Sequence, residues 1–229
     1  MICMGVDSSG KTAAVALMQD EKVLYEEFIN AGLTHSQTLL PMMARALDCT
    51  GLSPAQIDLY AVSAGPGSFT GLRIGLAAVK GMAQPFSTPC AGVSPLEALA
   101  WNVACEGTVV SVLDARRGEV YWAAFDGLTH HRLTPDAAAP VTELGNFLGN
   151  CKKPVFFVGD GADLCYNRYD NLSDIIHLPQ SLSLPRGSGL CLAGMQLHRR
   201  GESVHPALLV PNYLRLSQAE RERAARLGQ

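Results

Sequence analysis

Charge is scarce in this chain of 229 residues, where only 17% are Asp, Glu, Lys or Arg against about 25% in an average globular domain. With 48% hydrophobic residues and a net charge of −3, it falls outside the disordered class, which combines high net charge with few apolar groups. So little charge hints at a surface partly reserved for a partner. Long apolar runs are missing too. The longest, 72–83, is too short to cross a bilayer and carries Arg73 and Lys80. No secretory leader is legible, because the opening run 2–6 lacks a basic flank and Asp7 interrupts it. The seven cysteines contain no CxxC pair, so a disulfide framework is not indicated and a reducing, cytoplasmic setting is expected. Neither HxxxH nor HExxH occurs, and His130 and His131 are adjacent, so they point to different faces. There is no GxSxG elbow, no P-loop lysine and no GxGxxG fingerprint. A pI near 6.1 argues against a grip on nucleic acid by this chain alone. The basic cluster Arg221, Arg223 and Arg226 alternates with Glu220 and Glu222 and reads as a solvated helix face.

What is present is a repeated strand grammar. Runs 2–6, 13–17 and 23–28 are joined by short polar links, which predicts an antiparallel meander. A helical pattern over 39–47 follows, with Ser36 as N-cap, Gly51 as stop and Pro41 expected to kink or delay it. Ser53, Pro54 and Gln56 read as a short capped helix, and 59–63 as a strand. A glycine-rich segment then leads into a helix over 72–83. Strand 90–93 precedes Ser94, Pro95 and Glu97, read as a capping box that opens a helix through Ala104. At Thr108 the pattern restarts: an apolar run ends in Asp114, Gly118 follows, and 119–125 is strand-like, just as 2–6, Asp7, Gly10 and 13–17 were. This reads as a degenerate duplication, with two ordinary hairpins as the competing reading. Two βββα-type halves make an α/β fold of two lobes with mixed sheets and a cleft between them. The expected lobes are 1–104 and 105–204, with 205–229 packing back on the first. Within the second, 142–148 and 190–197 are read as helices, 155–158 as a strand and 182–189 as a loop.

The glycines at 65, 67, 71 and 75 leave backbone N–H groups unblocked at a helix N-terminus, where anions are favoured. They also suit a tight turn with close helix packing, which physics favours slightly. Asp7 and Asp114 end apolar strands. Such aspartates hold Mg²⁺ or position water in nucleotide-cleaving enzymes, or else cap their own turns. Two neighbouring helices look apolar over more surface than one core requires. Leu39, Leu40, Met43 and Leu47, with Leu72, Gly75, Leu76 and Val79, are therefore expected to dock a partner, and a charge at Met43 or Leu76 to abolish pairing.

The string from Gly65 to Gly75 (GPGSFTGLRIG), with Lys80 and Gly81 after it, resembles the signature of the TsaB (YeaZ-type) family. The strings Asp7-Ser8-Ser9, His35-Ser36, Gly92 to Leu99, Asp114 to Tyr121, Gly159 to Ala162 and Tyr213-Leu214-Arg215 agree with it in order. The resemblance implies an actin-like, Hsp70-like ATPase superfamily fold. It implies a scaffold or activator that pairs with the TsaD paralogue and works with the ATPase TsaE. That assembly transfers threonylcarbamoyl to N6 of adenosine 37 in tRNAs reading codons that begin with A. It implies nucleotide or phosphate contacts at Asp7, Ser8, Gly65, Gly67, Ser68 and Gly159, with ATP, ADP or Mg²⁺ at a shared interface and none tightly bound. The paralogue holds its metal with HxxxH, where this chain reads Ser94 to Leu99, so no metal ligands and no catalytic residues are expected here. A homodimer in isolation, tRNA contact only through the assembly and no membrane partner complete the expectation. Ser8 replaces the family's usual threonine and keeps its hydroxyl. The alternative is an independent Mg²⁺-dependent ATPase or kinase-like enzyme of the same fold. A metallopeptidase is disfavoured by the missing histidines.

Overall fold

The computed structural model describes residues 1–215. The Arg221, Arg223 and Arg226 cluster lies outside them. The chain runs β1 (Ile2–Asp7), β2 (Ala13–Gln19), β3 (Lys22–Ile29), α1 (His35–Thr50), β4 (Leu59–Ser63), α2 (Phe69–Ala83), β5 (Cys90–Val93) and α3 (Pro95–Ala100). It continues as β6 (Thr108–Arg116), β7 (Glu119–Asp126), β8 (Ala137–Pro140), α4 (Gly145–Leu148), β9 (Val155–Val158), α5 (Ala162–Tyr169), β10 (Ile175–Ile176), α6 (Gln180–Ser183) and α7 (Gly187–Arg199).

Two five-stranded sheets form, ordered β3-β2-β1-β4-β5 and β10-β9-β6-β7-β8. In each, the first three strands pair antiparallel and the later two add in parallel. The second sheet is thus the first read again from β6, and the duplication reading holds. Parallel neighbours need a crossover, and helices supply it. In the first half these are the long α1 and α2. In the second they have shrunk to the four-residue α4 and the eight-residue α5.

Alternation along the central strands feeds two apolar layers. Met4, Val6, Val15 and Leu17 point to α1 and α2, while Cys3, Ala16 and Met18 point to α7. Sheet one is therefore covered on both faces. Helix α7 follows the second lobe in sequence, yet it packs on β1, β2, β4 and β5 of the first sheet. The expected boundary near 204 does not follow that packing. The segment read as loop 182–189 also contains the end of α6 and the start of α7.

Local signals explain most boundaries. Gly51 (φ 68°) ends α1, and its N–H and that of Leu52 return to Asp48 and Leu47 carbonyls. The N-cap of α1 is Thr34 and not Ser36, and the helix runs through Pro41 without ending. Ser68 caps α2 by accepting the Gly71 N–H at 3.2 Å. The box expected at Ser94 does not form: the Ser94 hydroxyl has no partner, and Glu97 pairs instead with Arg132 at 2.8 Å. Helix α3 stops at Ala100, short of the expected Ala104.

Candidate functional site: the interlobe cleft

A cleft of about 390 Å³ lies between the lobes. The β1–β2 turn contributes Ser9, Gly10 and Lys11, and the start of α2 contributes Gly67, Ser68, Phe69 and Thr70. Asp114, Ala115, Arg116 and Tyr121 face them from the second lobe, beside Asp160 and Arg215.

The duplication is visible in hydrogen bonds. Asp7 Oδ1 accepts from the Ser9 hydroxyl at 2.8 Å and lies 3.4 Å from the Ser9 N–H. Asp114 Oδ1 accepts the Arg116 N–H at 2.7 Å. Each aspartate closes its own turn two residues on, the turn-capping role of this residue type. The second turn is tighter, with Arg116, Arg117 and Gly118 all at positive φ. Asp160 adds a link by accepting the Asp114 N–H at 2.9 Å.

The residues singled out from sequence divide sharply. Gly67 and Ser68 line the cleft. Asp7 and Ser8 are buried beneath it. The Ser8 hydroxyl donates to the Gly71 carbonyl at 2.9 Å, and a Cβ on Gly75 would strike that hydroxyl, so Ser8 docks α2. Gly65 is the position where the Asn212 carbonyl approaches, and Gly159 lies against the Val112 carbonyl; neither lines the cleft. Of the six residues expected to meet nucleotide or phosphate, only Gly67 and Ser68 therefore face the cleft. Among the described residues, no three His, Cys, Asp or Glu side chains gather in a metal-ligating group.

Burial pushes the Asp7 carboxyl above its ordinary range, while hydrogen bonds from Ser9 and Ser63 and the nearby His35 pull it down. Its Oδ2 has no partner. Burial also raises Asp160, helped by Asp114 and opposed by Lys11. A carboxyl raised in the native state holds its proton longer there than in the unfolded chain. Stability from it is fullest at low pH and falls as pH climbs from the ordinary carboxylate range through the raised value. Asp7→Asn is therefore expected to melt higher than the parent at pH 7, with the gap narrowing at pH 4. Equal gaps in thermal melts at both pH values would remove Asp7 as the titrating group.

The proposed docking residues need correction. Leu39, Met43, Leu47, Leu72, Leu76 and Val79 are buried within the first lobe, and Gly75 is pressed on Ser8. Leu40 alone of the eight faces outward, 53% exposed. The outer face of α1 instead exposes Leu40, Pro41 and Ala44 together with Gln37, Arg45 and Asp48, and α2 exposes Ala77 beside Arg73. Lys11, Thr70, Tyr121 and Arg215 were missed as cleft residues. Thr70, Tyr121 and Arg215 stand in strings that carry the family resemblance, but nothing in those strings points the residues at one another; only the fold brings them together with Lys11.

A family model described as TsaD, tRNA N6-adenosine threonylcarbamoyltransferase, matches residues 30–223. The tRNA threonylcarbamoyladenosine biosynthesis protein TsaB of Bacillus subtilis is 30% identical over 96% of both chains. The chain belongs to the TsaB family. Its Escherichia coli relative is 35% identical over 61% of this chain and 63% of its own. YeaZ from Pseudomonas aeruginosa superposes with a TM-score of 0.75 at 27% identity, over 93% of this chain and 99% of its own. A dehydratase activator from Clostridium difficile, solved with bound ADPNP, shares the fold alone, with a TM-score of 0.53 at 11% identity over 88% of this chain and 97% of its own. The fold is the actin-like ATPase fold. Among the described residues of this TsaB-family chain, no helix is long and apolar enough to cross a membrane.

Proposed function

We propose that this chain is the non-catalytic subunit of an assembly that forms threonylcarbamoyladenosine on tRNA. It pairs with the TsaD paralogue, works with the ATPase TsaE, and activates transfer to N6 of adenosine 37 in tRNAs reading codons that begin with A. One observation carries the reading: Asp7 and Ser8, for which the resemblance implies phosphate contacts, are buried, with Asp7 Oδ1 accepting from Ser9 and the Ser8 hydroxyl donating to Gly71. ATP or ADP, with Mg²⁺, enters at an interface shared with a partner. In isolation the chain forms homodimers through the surface it later offers to TsaD, and tRNA is held through the assembly, consistent with the net charge of −3.

The outer faces of α1 and α2 are the docking surface, where Leu40, Pro41 and Ala44 and, on α2, Ala77 are exposed within a rim that includes Arg45 and Arg73. Leu40→Asp combined with Ala77→Asp is expected to leave the fold intact and to abolish co-purification with TsaD. Reconstitution of TsaD, TsaE, tRNA and this chain tests the role, with the modified nucleoside read by mass spectrometry. Omitting this chain is expected to drop modification to background. The competing reading, an independent Mg²⁺-dependent ATPase, requires Asp7 and Asp114 to act on Mg²⁺. ATP turnover by the lone chain that disappears in Asp7→Ala would establish that reading and overturn the proposal.

A further inference from the structure

The last described stretch of chain, 204–215, is built as a strap across both lobes. Val204 exchanges two hydrogen bonds with Cys90 at 2.8 Å each, extending sheet one. The Lys80 ammonium donates to the Leu209 carbonyl at 3.0 Å, and Leu209 is buried in the first core. The Asn212 N–H donates to the Ala64 carbonyl at 2.7 Å. Tyr213 stacks on Phe69 with centroids 4.3 Å apart, and its hydroxyl accepts from Arg73 Nε at 2.9 Å. Everything up to Tyr213 is fastened to the first lobe.

The next two residues belong to the second. Leu214 packs into the cluster of Leu113, Tyr121 and Phe125. The Arg215 guanidinium pairs with Glu119 at 2.5 Å and donates to the Ala115 carbonyl at 3.3 Å. Its side chain is only 19% exposed and forms part of the cleft wall. Between Tyr213 and Leu214, then, the chain steps from one lobe to the other at the cleft. Arg215 is largely shielded and Glu119 is 36% exposed, so the pair stands between a surface and a buried one, and the guanidinium's second bond, to the Ala115 carbonyl, holds it in place.

We propose that residues 209–215 are an interlobe latch, which fixes the opening of the cleft through Arg215 and Glu119 and lets it widen when that pair is released. The device is independent of which partner or ligand the cleft meets. Chain crossings at 101–107 and 184–186, the packing of α3 on sheet two and the Glu97–Arg132 pair also join the lobes, so loss of the latch loosens the mouth of the cleft without separating them.

Amide hydrogen exchange on the full chain tests this, since local opening appears as faster exchange confined to the segments that open. Arg215→Ala is expected to speed exchange in turns 8–12 and 114–118 by about tenfold, equivalent to about 1.4 kcal/mol, while β1, β2 and β4 keep parental rates. Tyr213→Ala, which removes the other anchor, is expected to do the same. The exchanged pair Glu119→Arg with Arg215→Glu is expected to restore protection. Parental rates in both turns of Arg215→Ala, a uniform rise over the whole chain, or failure of the exchanged pair to restore protection would each overturn the latch.

Discussion

Met43→Asp unfolds the first lobe before it reports on any interface. Met43 has no exposed surface and packs with the α1–α2 face of sheet one. Emptying a buried methionine-sized site costs about 2–5 kcal/mol. A carboxyl left there without a partner adds about 1–3 kcal/mol. Together these approach the about 5–15 kcal/mol that holds an ordinary domain. The expected result is loss of the cooperative thermal transition at pH 7, with partial recovery at pH 4, where the introduced carboxyl is neutral. Leu40→Asp, three residues away on the outer face, is expected to stay within about 0.5 kcal/mol of the parent. Calorimetry of the two variants separates core from surface. A Met43→Asp protein that melts like the parent yet fails to bind TsaD would return Met43 to the interface.

The contrast marks what periodicity conveys. A helical wheel identifies the apolar side of a helix and says nothing of what covers it. Met42, Met43, Ala46 and Leu47, with Leu72, Leu76 and Val79, form stripes of the width one sheet consumes. They are not surplus, and of the eight residues expected at an interface Leu40 alone faces outward. Strands were legible because their signals are local: an apolar run, an aspartate that closes its own turn, and a glycine. Asp7 and Asp114 repeat that device in both halves, which is why the duplication was visible despite poor identity. The capping box at Ser94 failed for a non-local reason, since Arg132 claims Glu97 from 35 positions away. The cleft was half legible. Gly67 and Ser68 carry glycine-rich turn chemistry that can be read locally, whereas Lys11 has no motif, and Tyr121 and Arg215, though within recognisable strings, show their place in the cleft only when three segments converge. At Gly65 and Gly159 the structure supplies a packing reason for glycine, the close approach of the Asn212 and Val112 carbonyls.

Helix α7 offers the clearest test of packing against propensity. Gly187, its first residue, lies against the backbone of Val15 and Ala16, and a Cβ on Gly5 would meet the Gly187 carbonyl. Strand and helix therefore touch backbone to backbone, and Gly194 lies equally close to Ala61. Nothing there yields as a flexible side chain would. Gly187→Ala must lift the first turn of α7 from β2 and loosen the layer of Ala16, Leu190 and Cys191. A loss of about 3 kcal/mol is expected, in the upper range for overpacking. Helix propensity alone gives the opposite sign, because Ala is preferred to Gly in helices by about 1 kcal/mol. Gly81 in α2 supplies the control: no atom lies near its missing Cβ, so Gly81→Ala is expected to stabilise by about 0.5–1 kcal/mol. Denaturant unfolding of both variants decides the matter. Opposite signs place the helix that follows the second lobe firmly on the first, and a stabilising Gly187→Ala would remove it from that sheet.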